Sequence, residues 1–197
     1  MTKYVLVGGA DSSAPEQKKI ELANELKSNI DSKTVKILSV LFALSRENWE
    51  KYYESRKTYF QNLFTDNFKI EMANPKEFEK QALWADVIYL HGGDETLLSH
   101  WLEQYDLELL FSKKVVVGSS AGAEYLSKNF NTCDWREIKN GKGLAGANVI
   151  VHFGSEYGKD DPRGPIDWQK MRQELKEFDP STKLYCLREG EFVVIEK

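Results

Sequence analysis

Short runs of apolar, largely β-branched residues alternate along this chain with longer stretches in which apolar positions recur every three or four residues. The runs YVLVG (4–8), TVKILSVL (34–41), FKIEMA (68–73), DVIYLHGG (86–93) and KVVVG (114–118) predict strands. Most are apolar at consecutive positions, which fits strands covered on both faces. Between them, Glu16–Ser28 has helical spacing at Ile20, Leu22, Ala23 and Leu26. Ser45–Phe64 has it at Trp49, Tyr52, Tyr53, Tyr59, Phe60 and Leu63, a core-facing stripe. Asn74-Pro75 predicts a helix start, with Asn as cap and Pro at the first helical position, running to about Trp84. Further helices are predicted over Glu95–Gln104 and from Ala121 onward. This strand–helix alternation gives an α/β fold with a mostly parallel central sheet.

The second half is less regular. Residues 127–143 and 154–165 read as polar loops flanking a strand at 147–153. Residues 166–178 form a helical pattern capped by Asp167, and 184–196 read as two short strands around Arg188-Glu189-Gly190-Glu191, a hairpin.

Composition narrows the class. The chain has 197 residues, 41% apolar and 29% charged, which fits one domain over 1–197. A net charge of −4 with interleaved acids and lysines favours neither nucleic acid nor an anionic membrane as partner. The two cysteines, Cys133 and Cys186, have no metal-site or disulfide-framework spacing, so no metal is expected. No apolar run reaches the roughly 18 residues of a membrane span, and the expected location is cytoplasmic.

The candidate chemistry centres on GSSAG (118–122), which fits G-x-S-x-G where a strand turns into a helix. In such a nucleophile elbow the serine is held in a strained conformation, so its neighbours must be tiny. Gly118, Ser119, Ala121 and Gly122 satisfy that. Ser120 is therefore the candidate nucleophile, with N–H groups at the following helix start available to an oxyanion. A base must come from three histidines. His100 lies mid-helix, and His91 closes a strand before Gly92-Gly93, where it could line a pocket. His152 ends the strand at 147–153, at the carboxyl edge where sites gather. It is the preferred base. The acid that orients it is open between Asp134, Glu124 and Glu137, which spacing alone does not separate.

Together, DVIYLHGGDETLL (86–98), GSSAGA (118–123), Asp134, VHF (151–153) and LREGEFVVI (187–195) resemble the peptidase E and cyanophycinase family of serine peptidases. The resemblance covers nearly the whole chain. It implies a three-layer fold like the class I glutamine amidotransferases, of the flavodoxin/Rossmann-like kind, with serine at the elbow. It implies Ser120 as nucleophile, His152 as base, Asp134 as acid, and the N–H groups of Gly93 and Ala121 as oxyanion hole. An arginine after the catalytic histidine, here Arg163, would bind the side chain of an N-terminal aspartate. The glycine loop departs from the pattern: HGGDE (91–95) places His91 beside Gly92 in the substrate pocket.

The expected function is that of a serine hydrolase acting on short peptides, N-terminal aspartyl dipeptides among them. It needs no cofactor, and its partner is a small peptide substrate met as monomer or homodimer. The rival readings are an α/β-hydrolase-like esterase and a binding or regulatory domain that keeps the fold.

Overall fold

The computed structural model describes residues 1–28, 30, 32, 34–64 and 67–197. Its first part lays down β1 (Lys3–Val7), α1 (Glu16–Lys27), β2 (Val35–Val40), α2 (Trp49–Phe64), β3 (Phe68–Met72), α3 (Phe78–Trp84) and β4 (Val87–Leu90). There follow α4 (Glu95–Leu102), α5 (Leu107–Phe111), β5 (Val115–Ser119) and α6 (Ala121–Leu126). The remainder holds β6 (Asn129–Asn131), β7 (Ile138–Asn140), β8 (Asn148–Ile150), α7 (Trp168–Phe178), β9 (Leu184–Cys186) and β10 (Phe192–Glu196).

The main sheet has six strands in the order β10-β1-β5-β4-β2-β3. All neighbours are parallel except β10, which runs antiparallel to β1. A smaller sheet, β7-β6-β8-β9, lies to one side.

Alternation along each strand splits the core into two layers. Val5 and Val7 of β1, with Val87 and Tyr89 of β4, pack against Leu22 and Leu26 of α1 and Phe60 and Phe64 of α2. Tyr4, Leu6, Ile88 and Leu90 face the opposite way, toward Phe78, Leu98, Leu102, Phe111 and Leu126. Helices on both faces make this the expected three-layer α/β sandwich. Burying each such Val, Leu, Ile or Phe stabilises the fold by about 1.5–3 kcal/mol.

Local sequence departs from the expectation in three places. Asn74-Pro75 opens a turn, and α3 starts only at Phe78. The Asn74 side chain accepts from the Lys76 N–H at 3.0 Å, so its capping tendency closes a turn instead of a helix. The polar stretch 127–143 contains β6 and β7, paired antiparallel through Asn129–Asn140 and Asn131–Ile138. Finally, residues 184–196 are no hairpin. Strand β9 pairs with β8 in the small sheet, while β10 pairs with β1 in the large one. The turn between them crosses from one sheet to the other.

Behind β1 and β4 lies a buried ion pair. Arg56 of α2 and Asp11 of the loop after β1 are 4% and 6% exposed. The Arg56 Nη2 lies 2.6 Å from Asp11 Oδ2, and the Tyr89 hydroxyl donates to the same oxygen at 2.8 Å. The guanidinium also sits 4.2 Å from the centre of the Tyr59 ring. Removing one partner of such a pair strands the other charge out of water. We therefore expect Asp11→Ala to lower stability by about 3–5 kcal/mol. In urea unfolding, Asp11→Ala/Arg56→Met together should recover most of that loss.

Candidate active site

The site is built where β5 stops and α6 starts, with Ser120 alone between them. Ser120 has φ 51° and ψ −116°, a region that residues with a side chain rarely occupy. Backbone hydrogen bonds hold it there. Its N–H donates to Val7 O at 3.0 Å, and its carbonyl accepts from the N–H groups of Ala123 and Glu124 at 2.8 and 3.0 Å. The glycines are required by close approach. A methyl group on Gly118 would strike the backbone of Gly122, and one on Gly122 would strike that of Leu90.

The Ser120 hydroxyl lies 2.9 Å from His152 Nε2. His152 follows β8 and has φ 53°. Its N–H donates to Gly8 O at 2.9 Å. One face of its ring stacks on Tyr157, centroids 4.7 Å apart and planes 23° from parallel. Gly9 also lies against the ring, and a side chain there would collide with it. The imidazole is thus fixed in plane and position.

Nδ1 of His152 meets a carboxylate at 3.1 Å, and that carboxylate is Glu189 Oε1. An acceptor at Nδ1 keeps the proton on that nitrogen and leaves Nε2 free to accept from the serine hydroxyl. Glu189 sits in the turn between β9 and β10. That turn is fastened on three sides: Leu187 N–H to Ile150 O at 2.9 Å, Gly190 N–H to Gly9 O at 2.8 Å, and Phe153 N–H to Leu187 O at 2.9 Å.

Asp134, expected at this position, is not the partner of His152. Its Oδ1 accepts from the Tyr157 hydroxyl at 2.9 Å, so it reaches the imidazole only through the stacked phenol ring. Glu137 is mostly exposed and lies 3.5 Å from Lys139. Glu124 is buried beneath the elbow and is not hydrogen-bonded to the imidazole. Arg163 stands near Asp134, but its guanidinium is engaged. Nε and Nη2 donate to the Asp161 carboxylate at 2.8 and 2.5 Å, and Nη2 also donates to Asp134 O at 2.5 Å.

His91 does not line a pocket. It is 1% exposed, bonded through Nε2 to the Ser39 hydroxyl at 2.8 Å and stacked on Tyr89 at 4.6 Å. The reason is strand alternation. His91 continues the face of Val87 and Tyr89, which is covered by α2. Burial and the charge of Arg56 push its pKa well down, so it is a neutral core imidazole.

Gly92 and Gly93 do border the nucleophile. A Cβ on Gly92 would lie 3.1 Å from the Ser120 Cβ. Gly93 has φ 140°, and a side chain there would run into Ala43 O, so this loop needs glycine. Among the described residues, the N–H groups of Gly93 and Ala121 have no backbone acceptor. Asp94 caps α4, accepting from Thr96 and Leu97 N–H at 2.8 and 3.0 Å, and so ties the glycine loop to that helix. No three His, Cys, Asp or Glu side chains among the described residues are grouped as a metal site. No helix among them is long and apolar enough to cross a membrane.

A three-layer α/β fold with a serine–histidine pair at a nucleophile elbow defines a serine-type peptidase class when the chain carries the matching family signature. The family model for peptidase family S51 matches residues 4–197, and the chain belongs to that family. Among solved structures it is similar to a peptidase from an acI-B1 Actinobacterium, with 22% identity and a TM-score of 0.67 over 98% of this chain and 83% of that one. It is also similar to a peptidase E protein from Listeria monocytogenes EGD-e, with 18% identity and a TM-score of 0.65 over 100% and 99% of the two chains. No curated protein sequence matches the chain significantly.

Glu124 gives this site a pH signature. Burial first, then the nearby Glu95 and Asp134, push its carboxyl up to about 8. The folded chain therefore keeps a proton there that the unfolded chain releases above its ordinary carboxylate range. The sign follows: stability is full at low pH and declines as pH rises from about 4.5 to 8, by at most about 1.4 kcal/mol per unit. Glu124→Gln removes that slope. In thermal melts its advantage over wild type should grow from pH 5 to pH 8 and then level off. Parallel wild-type and variant curves across that range would contradict the assignment.

Proposed function

We propose that this chain hydrolyses short peptides by acyl transfer through Ser120. The observation that carries this reading is the 2.9 Å contact between the Ser120 hydroxyl and His152 Nε2 at a strained elbow, in a chain of peptidase family S51. Oγ attacks the scissile carbonyl carbon while its proton passes to Nε2. The N–H groups of Gly93 and Ala121 take the oxyanion, each worth about 2.7–4 kcal/mol in the transition state. His152 then returns the proton to the departing amine. A water molecule, deprotonated by the same nitrogen, releases the acyl group from Ser120. Glu189 holds the ring tautomer and stabilises the imidazolium that forms. Asp134 acts on the ring only through Tyr157, as a support of its position.

An aspartyl preference finds little support in these residues. Arg163, the residue that would pair with an aspartyl side chain, already has its guanidinium on Asp161 and on Asp134 O.

The test combines a fluorophosphonate probe with a dipeptide panel. Wild-type protein should be labelled on Ser120, and Ser120→Ala and His152→Ala should lose both labelling and turnover. Glu189→Gln should cut kcat on the order of 10⁴-fold, because it leaves the ring in the wrong tautomer. Asp134→Asn should cut it by about tenfold, the lower end for a residue acting through a neighbour. A deeper loss for Asp134→Asn than for Glu189→Gln would reverse the assignment of the acid. Unlabelled wild type that cleaves no dipeptide would overturn the hydrolytic reading.

A further inference from the structure

FVVIE (192–196) is built almost wholly of aromatic and β-branched residues, and it forms β10, the strand at one end of the main sheet. One side of β10 is paired with β1. Thr2 and Lys197 exchange backbone hydrogen bonds at 2.6 and 2.9 Å, and the Gly8 N–H donates to Glu191 O at 2.9 Å. In an antiparallel ladder, residues that bond to the neighbouring strand alternate with residues that bond away from it. The register Tyr4–Ile195 and Leu6–Val193 therefore turns the N–H and C=O groups of Phe192, Val194 and Glu196 outward. Among the described residues those groups have no hydrogen-bond partner. Phe192 to Ile195 are each only partly buried.

The opposite end of the sheet is treated differently. There the outward carbonyls of β3 are occupied. The Tyr53 hydroxyl donates to Ile70 O at 2.9 Å, and the Gln81 amide donates to Met72 O at 3.0 Å. Lys69 and Glu71 add charge along that strand. From Phe192 to Ile195, β10 carries no charge and no proline, and no side chain among the described residues caps its outward groups. Sheet edges that stay unpaired are ordinarily blunted by such devices, so this bare one calls for another strand.

The strand is its own complement. Set antiparallel to a second copy about a two-fold axis at Val194, Val194 faces Val194, Val193 faces Ile195, and Phe192 faces Glu196. One step beyond, Glu191 faces Lys197, and the symmetry makes that pair twice. Both side chains are exposed, and among the described residues neither has an ion pair. No like charges meet in this register, and every outward N–H and C=O of Phe192, Val194 and Glu196 finds a partner.

We propose that β10 is a dimerisation edge, at which two copies of this chain pair β10 with β10, antiparallel and centred on Val194, to make one continuous sheet. The partner is a second copy because the chain's own sequence supplies the opposite charges, Glu191 and Lys197, at the positions this pairing brings together. The interface stands independently of the hydrolytic reading of Ser120.

The experiment is sedimentation of the chain and three variants. Wild-type protein should be dimeric at about 100 µM, a concentration high enough for an interface at the small end of the specific range. Proline at 194 removes an N–H that β1 does not use. Val194→Pro should therefore keep the fold, read by circular dichroism, and lose the dimer. Glu191→Lys should weaken association about threefold or more, and adding Lys197→Glu in the same chain should restore it to within about twofold of wild type. Wild type that is monomeric at that concentration would overturn the proposal. So would a dimer that survives Val194→Pro, or a second charge reversal that restores nothing. If Val194→Pro does not fold, the charge variants decide alone, since they leave the backbone untouched.

Discussion

Everything at this site depends on one backbone constraint: a buried strand must become a helix within a single residue. Ser120 meets it at φ 51°, held by Val7 O on one side and by the first turn of α6 on the other. Strain of this kind persists only where the surroundings over-determine it. Here the two flanking glycines let α6 fold back until its backbone touches β4 and β5. The hydroxyl then has no direction left but outward over the carboxyl ends of the strands. A side chain on either glycine would push the helix off the sheet and move the oxygen with it.

The imidazole is positioned by a different device, a convergence of three loops. The loop after β1 supplies Gly8 O to the His152 N–H and a bare Gly9 against the ring. The segment after His152 folds Tyr157 back over the ring. The β9–β10 turn delivers Glu189 to Nδ1 and is itself bonded to Gly9 through Gly190. Loops carry function when a rigid scaffold places them. Behind the first of them, Asp11 is anchored to Arg56 and Tyr89 in the core. The buried pair therefore connects helix packing on the α1–α2 face to the geometry of the loop that seats the histidine.

What was legible in the sequence follows from how local each signal was. The parallel strands were readable because burial on both faces leaves continuous apolar runs. Ser120 was readable because the elbow imposes small neighbours within five residues. His152 came from its place at a strand end and from the small number of histidines. His91 was misread because its strand-end position looked the same; only the parity of the strand, set by Tyr89 and covered by α2, sends it into the core. Glu189 was passed over for a deeper reason. REGE looks like the tip of a hairpin, since adjacent β runs around a polar turn are the commonest local explanation. The partner of β10 is β1, at the far end of the chain, and no local pattern encodes that pairing. Asp134 was favoured by its resemblance to a family position, and it does lie in the neighbourhood, one phenol ring away from the imidazole.

Two glutamates near one serine show how environment, and not residue type, sets the character of a carboxyl. The Glu189 side chain keeps 45% of its surface open to solvent, and among the described residues its one ion-pair partner is His152. Such a carboxylate stays within reach of water while it holds one ring nitrogen of the imidazole. Glu124 is nearly buried and lies near other acids, so its ionised form is disfavoured. The same carboxyl chemistry, placed in two dielectrics, leaves one group open to solvent beside the imidazole and holds the other protonated into the neutral range.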